Sequence, residues 1–439
     1  MVRRFPLNFQ ELYKNKLKNP AQVAQYFQSG WTIVSDSALA APRAMYGAVG
    51  ERIKLGDLHD LTIHGFLDLF EYPSYNEEIA GRVNGVSWFS QANGRKAVAG
   101  GFADIMPTHY RDAPRLITEY IDIDAYCVTV SPMDEHGYFS TGCSASISEA
   151  MISKAKHIFI EVNNHMPRAL SGPAIHISQV AGLCENHQEL ISLPSVPADK
   201  DSIAIGNFIA ERIVDGSTLQ LGIGAIPNAV AAALLHKKDL GIHTEMLTDG
   251  MIDLIHSGAV NNSKKPIHQG KTVATFALGS KKIYDYINNN TGVMMLPVDY
   301  VNDPHVIAQH PNFVSVNAAV EVDFFGQVSA ESIGTRHLSG SGGQADFVRG
   351  ALQSHGGKSF IAFPSTSKGG TVSKIAPTLT PGSIVTTLKN EVDYIVTENG
   401  VAQMRGKTLG ERTKQLIAIA HPNFRDELTF AAKKQNILI

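Results

Sequence analysis

The chain runs to 439 residues, too long for one simple core, so two or three domains are expected. Its hydrophobic fraction of 44% and charged fraction of 18% are those of an ordinary globular protein. A net charge of −3 with no long run of either sign argues against a general nucleic-acid footprint, leaving Lys264-Lys265 and Lys281-Lys282 as local basic pairs able to meet phosphates. The three cysteines, Cys127, Cys143 and Cys184, form a sparse, odd set and read as reduced thiols of an intracellular protein. The segment Met1-Val2-Arg3-Arg4-Phe5-Pro6 lacks the apolar core of a secretion signal, and no run is apolar enough to span a bilayer. The expectation is a cytoplasmic enzyme with neither a nucleic-acid nor a membrane partner.

In chain order, strand candidates of the first half are Trp31–Val34, Lys96–Ala99, Ala125–Val130 and His157–Val162. Those of the second half are Thr218–Leu221, Val273–Phe276, Ser359–Phe363 and Tyr394–Thr397. Their continuous apolar character suits strands buried on both faces, and the helical stretches between them predict largely parallel sheets. The segment Leu193-Pro194-Ser195-Val196-Pro197-Ala198-Asp199-Lys200, with two prolines and polar ends, reads as a linker, followed by an amphipathic helix from Ile203 to Val214. It separates an expected α/β domain over 1–193 from a second over 194–439. Ligands in open α/β sheets bind beyond the carboxyl ends of the strands, so a cleft between the domains is the expected site.

Three segments of the second half carry candidate chemistry. Gly222-Ile223-Gly224-Ala225-Ile226-Pro227-Asn228 joins a strand to an Ala/Leu helix, with Pro227 suited to a first helical turn. Its exposed N–H groups favour negative charge, as an oxyanion or phosphate cradle would; the glycines alone favour a plain strand-to-helix turn. It is not the dinucleotide fingerprint, since Pro227 stands at the third glycine. Glu245, in Gly241-Ile242-His243-Thr244-Glu245-Met246-Leu247, follows a short strand end with apolar residues behind it. A partly desolvated carboxylate there is a nucleophile toward a carbonyl, whereas a lone glutamate more often is a solvated loop charge. Gly340-Ser341-Gly342-Gly343-Gln344-Ala345-Asp346-Phe347 is a second loop open to close approach, with Asp346 as the expected cap of the following helix. Ser365-Thr366-Ser367-Lys368-Gly369-Gly370 is equally a phosphate-binding loop or an exposed one.

Other motifs fall away. Gly400 to Gly406-Lys407-Thr408 has five residues between its glycines where a P-loop needs four. There is no Gly-x-Ser-x-Gly elbow, no Cys-x-x-Cys and no His-Glu-x-x-His. His136, His176 and His243 read as structural hydrogen-bonding histidines rather than metal ligands.

One carboxylate between two backbone-donor loops, in this order, resembles the coenzyme A transferase members of the acetyl-CoA hydrolase/transferase family. Further segments that look like the family are Ala103-Asp104-Ile105-Met106-Pro107, Val130 to Phe139, Glu161 to Pro167, Asp323 to Glu331 and Val396 to Ala402, so the resemblance covers nearly the whole chain. It implies two related open α/β domains of CoA-transferase type with an interdomain active-site cleft. It implies Glu245 as nucleophile, and Gly222, Ile223, Gly224, Ala225 and Ile226 as the loop holding thioester and CoA. It places Gly342 and Gly343 at the oxyanion site, Asn317 and Glu398 at the border of the active site, and Lys368 as a weaker match. Coenzyme A enters as substrate, with no permanently bound cofactor and no metal; the other partners are acyl-CoA and short-chain carboxylates, and a homo-oligomer is left open. In one departure, Ala40-Ala41-Pro42 stands where many members carry Gly-x-Pro, in a loop expected to face the acyl pocket.

The resemblance implies a ping-pong transferase acting through a glutamyl-CoA thioester on acids of the 4-hydroxybutyrate, butyrate and acetate kind. A short-chain acyl-CoA hydrolase on the same scaffold and a non-catalytic acyl-CoA sensor are the alternatives. The sequence marks no cationic group for a dicarboxylate substrate.

Overall fold

The computed structural model describes residues 8–193 and 197–438. The Met1–Pro6 segment and residues 194–196 of the expected linker lie outside the described residues. The chain forms two compact α/β units. One comprises Met1–Thr108, Asp112–Leu193 and Thr275–Asp299; the other comprises His109–Arg111, Pro194–Ala274 and Tyr300–Ile439.

The first unit is built on seven strands: β1 (Thr32–Ser35), β2 (Leu61–Phe66), β3 (Val83–Phe89), β4 (Ala103–Ile105), β5 (Ala125–Val130), β6 (His157–Val162) and β7 (Val180–Glu185). They lie in the order β4-β3-β2-β1-β5-β6-β7, and all neighbours are parallel. β5 is buried along its whole length, as its unbroken apolar run requires. Helix α1 (Arg43–Leu55) places Met45, Tyr46, Val49 and Ile53 in one core with Ile33, Ile63 and Phe159. Fully burying side chains of this size contributes roughly 1.5–3 kcal/mol each.

The strand order reverses between β1 and β5, which makes the carboxyl ends of those strands the place where a crevice opens. In this unit two of the chain's own carboxylates are hydrogen-bonded near that end of the sheet. Asp36, fully buried, accepts hydrogen bonds from the Tyr126, Ser144 and Ser148 hydroxyls. Glu161 accepts the Met45 backbone N–H and the Asn186 amide at the start of α1. Ala38, Leu39 and Ala41 of the Ala38–Pro42 loop line a small cavity beside Glu161, with Phe70 and Thr129.

One strand expectation fails. Lys96–Ala99 is the end of helix α2 (Ala92–Ala99), not a strand. Of those four residues only Ala97 is fully buried, so the stretch presents one face to the core, as a helix does.

The second unit repeats the winding. Strands β8 (Thr218–Leu221), β9 (Gly241–Leu247), β10 (Val314–Ala318), β11 (Lys358–Ala362), β12 (Tyr394–Thr397) and β13 (Gly400–Gln403) lie in the order β9-β8-β10-β11-β12-β13. All neighbours are parallel except the β12–β13 hairpin. Here the order reverses between β8 and β10, and the Gly222–Ile226 turn leaves β8 at that point.

Helix α3 (Lys200–Ala210) begins three residues before the expected Ile203 because Asp199 caps it, accepting the Ser202 N–H. It packs on α4 (Ala225–Ala233), the helix that follows the turn. The two backbones meet at Gly206, where a Cβ would lie 2.8 Å from the Ala229 carbonyl carbon. Gly206→Val must therefore push α4 and its turn, and is expected to destabilise the protein by about 1–3 kcal/mol. Denaturant midpoints of the variant and the parent check this; an unchanged midpoint refutes the packing argument.

Candidate active site

Glu245 lies inside β9, near its carboxyl end, and not after the strand as expected. Thr218 and Leu219 of β8 pair with Gly241 and Ile242, so β9 and β8 run parallel with their carboxyl ends on the same side. The nucleophile candidate and the first glycine turn thus both lie at the carboxyl end of the sheet, where the strand order reverses. Met246 and Leu247 are buried behind Glu245, which keeps partial exposure itself.

Two donors hold the Glu245 carboxylate. Asn302 Nδ2 donates to Oε2 at 2.7 Å, and the Gly343 backbone N–H donates as well. Gly343 is the N-cap of α5 (Gln344–Gln353), so the carboxylate sits at a helix N-terminus. A Cβ on residue 343 would stand 2.0 Å from Glu245 Oε2 and 2.3 Å from Asn302 Nδ2. Glycine is required there for space, not for backbone conformation. The donors favour ionisation, yet burial outweighs them, and the carboxyl is pushed up from 4.5 to about 7.

Two further groups complete the cluster. Asp346, expected to cap α5, is not at its N-cap but in its first turn, fully buried, and makes no capping bond. Burial pushes it to about 8, with the nearby Glu245 charge adding to the rise. Arg111 stands with its Nε 3.5 Å from Asp346 Oδ1 and its Nη1 4.0 Å from Asp303 Oδ1. A cation is therefore present where sequence marked none, already flanked by two carboxylates.

The segment that brings Asn302 is fixed from β9. His243, two residues before Glu245 on the same strand face, bonds the Val301 carbonyl through Nε2 at 2.7 Å. This is the structural role expected of His243. Lys265 differs from its expectation as a phosphate-meeting residue, because its ammonium is buried and donates to the Ile242 and Lys271 carbonyls. Lys281 pairs with Asp285.

The Gly222–Ile226 turn is open. Gly222 donates its N–H to the Val316 carbonyl at 3.2 Å, tying the turn to β10. Gly224 has φ +114 with nothing near a Cβ, so it is glycine for its backbone. As the N-cap of α4 it brings no side chain to the helix end, and Pro227 stands in the first turn as expected. Ile223 is exposed at the tip, and Ala225 and Ile226 are half-buried. Asn317, at the end of β10, bonds Ser315 and Gln220 beside this turn. Gly342 takes φ +57, and its carbonyl accepts the Tyr110 N–H.

Glu398 and Lys368 belong to a separate group. Glu398 is bonded by the Ser365 N–H and hydroxyl and by Asn399. Lys368 is exposed in a short turn beyond Ser367. All three cysteines are buried, and burial pushes each thiol up, away from the reactive thiolate. Among the described residues no group of three His, Cys, Asp or Glu side chains is placed to hold a metal, and no helix is long and apolar enough to cross a membrane.

Residues 3–205 match the acetyl-CoA hydrolase/transferase N-terminal domain, and residues 279–432 match its C-terminal domain. The chain belongs to the acetyl-CoA hydrolase/transferase family. It is 46% identical to a succinyl-CoA:cyclohexane-1-carboxylate CoA transferase of Geobacter metallireducens, over 99% of each chain. It is 42% identical to the 4-hydroxybutyrate coenzyme A transferase of Clostridium kluyveri, over 98% of this chain and all of that one. The crystal structure of RipA from Yersinia pestis matches it with a TM-score of 0.93 and 39% identity, over 98% of this chain and all of the other.

Within this family's scaffold, sequence reading missed Asn302 as the partner of Glu245 and Arg111 as the partner of Asp346. Asn302-Asp303-Pro304 reads locally as a helix start, and Asp303 does cap the short helix at Pro304. No local signal marks Asn302 for a carboxylate 57 residues away.

The raised Glu245 carboxyl has a consequence for stability. The folded state holds its proton more tightly than the unfolded chain does, so its stabilising effect is complete below the unfolded value near 4.5. It is lost as pH rises through about 7. Glu245→Gln removes that loss and is expected to be more stable than the parent at pH 8, by on the order of 1 kcal/mol after solvent screening. Paired melts at pH 5 and pH 8 test this; equal shifts at both values refute a raised Glu245.

Proposed function

We propose that this chain moves coenzyme A between short-chain carboxylic acids, of the 4-hydroxybutyrate, butyrate and acetate kind, by a ping-pong cycle on Glu245. That it is a CoA-transferase follows from its family and from relatives aligned over nearly the whole chain. The observation that carries the residue-level reading is the Glu245 carboxylate itself. It is partly exposed near a strand end, held by one amide and one backbone N–H, at the same end of the sheet as the open glycine turn.

In the proposed cycle Glu245 attacks the donor thioester carbonyl and expels CoA thiolate, giving a mixed anhydride. The thiolate attacks the glutamyl carbonyl, releasing the donor's acid and leaving a glutamyl-CoA thioester. The acceptor carboxylate attacks that thioester and expels the thiolate again. The thiolate then takes the acyl group from the new anhydride and frees Glu245. One thioester is exchanged for another, so no ATP or metal step is needed. A carboxylate whose proton affinity is raised by burial is a better nucleophile than a solvated one.

Backbone N–H groups of the Gly222–Ile226 turn and of Gly342-Gly343 are the proposed oxyanion and CoA contacts. In the resting geometry the Gly343 N–H lies on Glu245, so it becomes free for an oxyanion only as the carboxylate moves to attack. Asn317 is proposed to border the acyl site, and Lys368 and Glu398 to meet the CoA moiety. CoA is substrate, and no bound cofactor takes part. An apolar acyl pocket gains only roughly 1–3 kcal/mol from one methylene, so selection among short acids is expected to be graded.

Glu245→Gln keeps the side-chain shape and removes the attacking charge. Transfer from butyryl-CoA to acetate is expected to fall by several orders of magnitude while acyl-CoA binding persists. A variant working at more than roughly a tenth of the parent rate removes Glu245 from the mechanism. Formation of acetyl-CoA in the same assay distinguishes transfer from hydrolysis, which yields free CoA alone.

A second prediction follows from the carboxyl's raised position. Attack needs the ionised form, so the rate of the first half-reaction is expected to decline below about pH 7. A rate that stays flat down to the ordinary glutamate range would show a normally solvated nucleophile. Intact-protein mass spectrometry with butyryl-CoA and no acceptor should show a CoA adduct that peptide mapping places on Glu245; an adduct on Cys127, Cys143 or Cys184 means a thiol mechanism.

A further inference from the structure

The Glu245 carboxylate takes its side-chain hydrogen bond from Asn302, and the strand that carries Glu245 also holds the backbone beside Asn302. His243 and Glu245 stand two residues apart on one face of β9. His243 Nε2 lies 2.7 Å from the Val301 carbonyl oxygen, and Asn302 Nδ2 lies 2.7 Å from Glu245 Oε2. Val301 and Asn302 are consecutive, so the two bonds and two short stretches of chain close a ring. His243, Thr244, Val301 and Asn302 are fully buried in it, and Glu245 keeps partial exposure.

This ring fixes the state of the imidazole. A carbonyl oxygen only accepts, so His243 Nε2 carries a proton. Its Nδ1 is buried and has no partner among the described residues. A second proton there would make a buried N–H without an acceptor, which is costly. The groups around the ring oppose a cation as well. His310, in the turn after the Pro304–Ala308 helix, lies with its ring centroid 5.0 Å from that of His243. Lys265 holds its ammonium on the Ile242 and Lys271 carbonyls, and His268, from the same loop, bonds the Tyr300 hydroxyl. Burial, with His310 and Lys265 adding to it, pushes His243 well below the ordinary histidine value.

The amide depends on that anchor. Asn302 Oδ1 is buried and accepts no hydrogen bond. Its Nδ2 reaches Glu245 only while the 301–302 backbone keeps its distance from β9, and a shift of about 1 Å ends a bond of this length. We propose that His243 is a positioning residue of the transfer reaction: its Nε2–H holds the Val301 carbonyl, and through it the Asn302 amide on the Glu245 carboxylate. This rests on the reading of Glu245 as nucleophile and adds the group that places its partner. His243 moves no proton in the cycle. The titratable group facing Glu245 from α5 is Asp346, which stays the same in every variant below.

The test uses the full-length protein with butyryl-CoA and no acceptor. The rate of CoA adduct formation on Glu245 is read by intact-protein mass spectrometry from about pH 5.5 to about pH 8.5. H243N and H243Q are alike in polarity and differ in reach. The asparagine amide ends near the place of Nδ1, and the glutamine amide reaches the place of Nε2. H243N is expected to slow the adduct by roughly 10–100-fold at neutral pH. It is also expected to move the acid limb above the parent's position at about 7, because a carboxylate that loses a donor holds its proton more tightly. H243Q is expected to recover most of both changes. Since His243 acts through Asn302, H243N added to N302A should slow the reaction further by less than about two-fold. A merely structural histidine would lower both backgrounds alike and leave the acid limb in place. H243N with the parent's rate and acid limb overturns the proposal. So does an equal loss on N302A, or an H243Q as slow as H243N. If H243N does not fold, ring-nitrogen NMR of the parent with isotope-labelled histidine decides. A neutral Nε2–H ring at His243 across the range supports the proposal, and an Nδ1–H or cationic ring overturns it. A parent adduct absent from Glu245 is a different failure: it removes the nucleophile reading itself, and this proposal with it.

Discussion

The absence of a side chain at residue 343 is the constraint on which the site depends. Glu245 and Asn302 occupy the volume that any Cβ there would claim. Three elements must converge for this to hold: the end of β9, the start of α5 and the segment from Tyr300 to Asp303. Each is fixed by a contact of its own. β9 takes its register from β8, and His243 on β9 bonds the Val301 carbonyl. Gly342 accepts from Tyr110, which anchors the turn into α5. The Glu245 carboxylate is thus positioned by backbone geometry and one amide, and among the described residues no cation pairs with it.

That choice of partners sets the electrostatics. A guanidinium bound directly to Glu245 would hold the carboxyl low and make it a weak nucleophile. Arg111 is close by but is engaged with Asp346 and Asp303. A helix N-terminus and an amide offer partial charges only, worth roughly 0.3–1 kcal/mol for the dipole at exposed sites. Burial outweighs them, and the carboxyl rises to about 7. The same balance leaves both the ionised and the protonated carboxyl populated near neutral pH.

The sequence made much of this legible, for identifiable reasons. Strands buried on both faces, such as Ala125–Val130, are written as unbroken apolar runs and were readable as strands. The Gly222–Pro227 turn was readable because glycine and proline carry backbone meaning at fixed places. Lys96–Ala99 was misread because four residues are too few to separate a strand from the buried edge of a helix. Asp346 looked like a cap because Asp near a helix start usually is one, and only burial beside Glu245 reveals the difference. Lys265 looked like a surface charge, and its burial is set by carbonyls that the sequence does not place nearby. Asn302 and Arg111 were invisible, since tertiary folding alone brings them to Glu245 and Asp346.

The two units show how one winding yields two different ends. In the first, the crevice between β1 and β5 is satisfied from within: Asp36 collects three hydroxyls, and Glu161 takes N–H groups at the start of α1. In the second, the corresponding turn after β8 is Gly222-Ile223-Gly224, and the N-cap of α4 is a glycine with no side chain to offer. A helix N-terminus capped by a buried glutamate is structurally complete. One that begins on bare glycine is left to water or to an arriving anion. The two strand ends share one winding and differ in the residue that follows: Asp36 with its hydroxyl donors after β1, and Gly222 after β8.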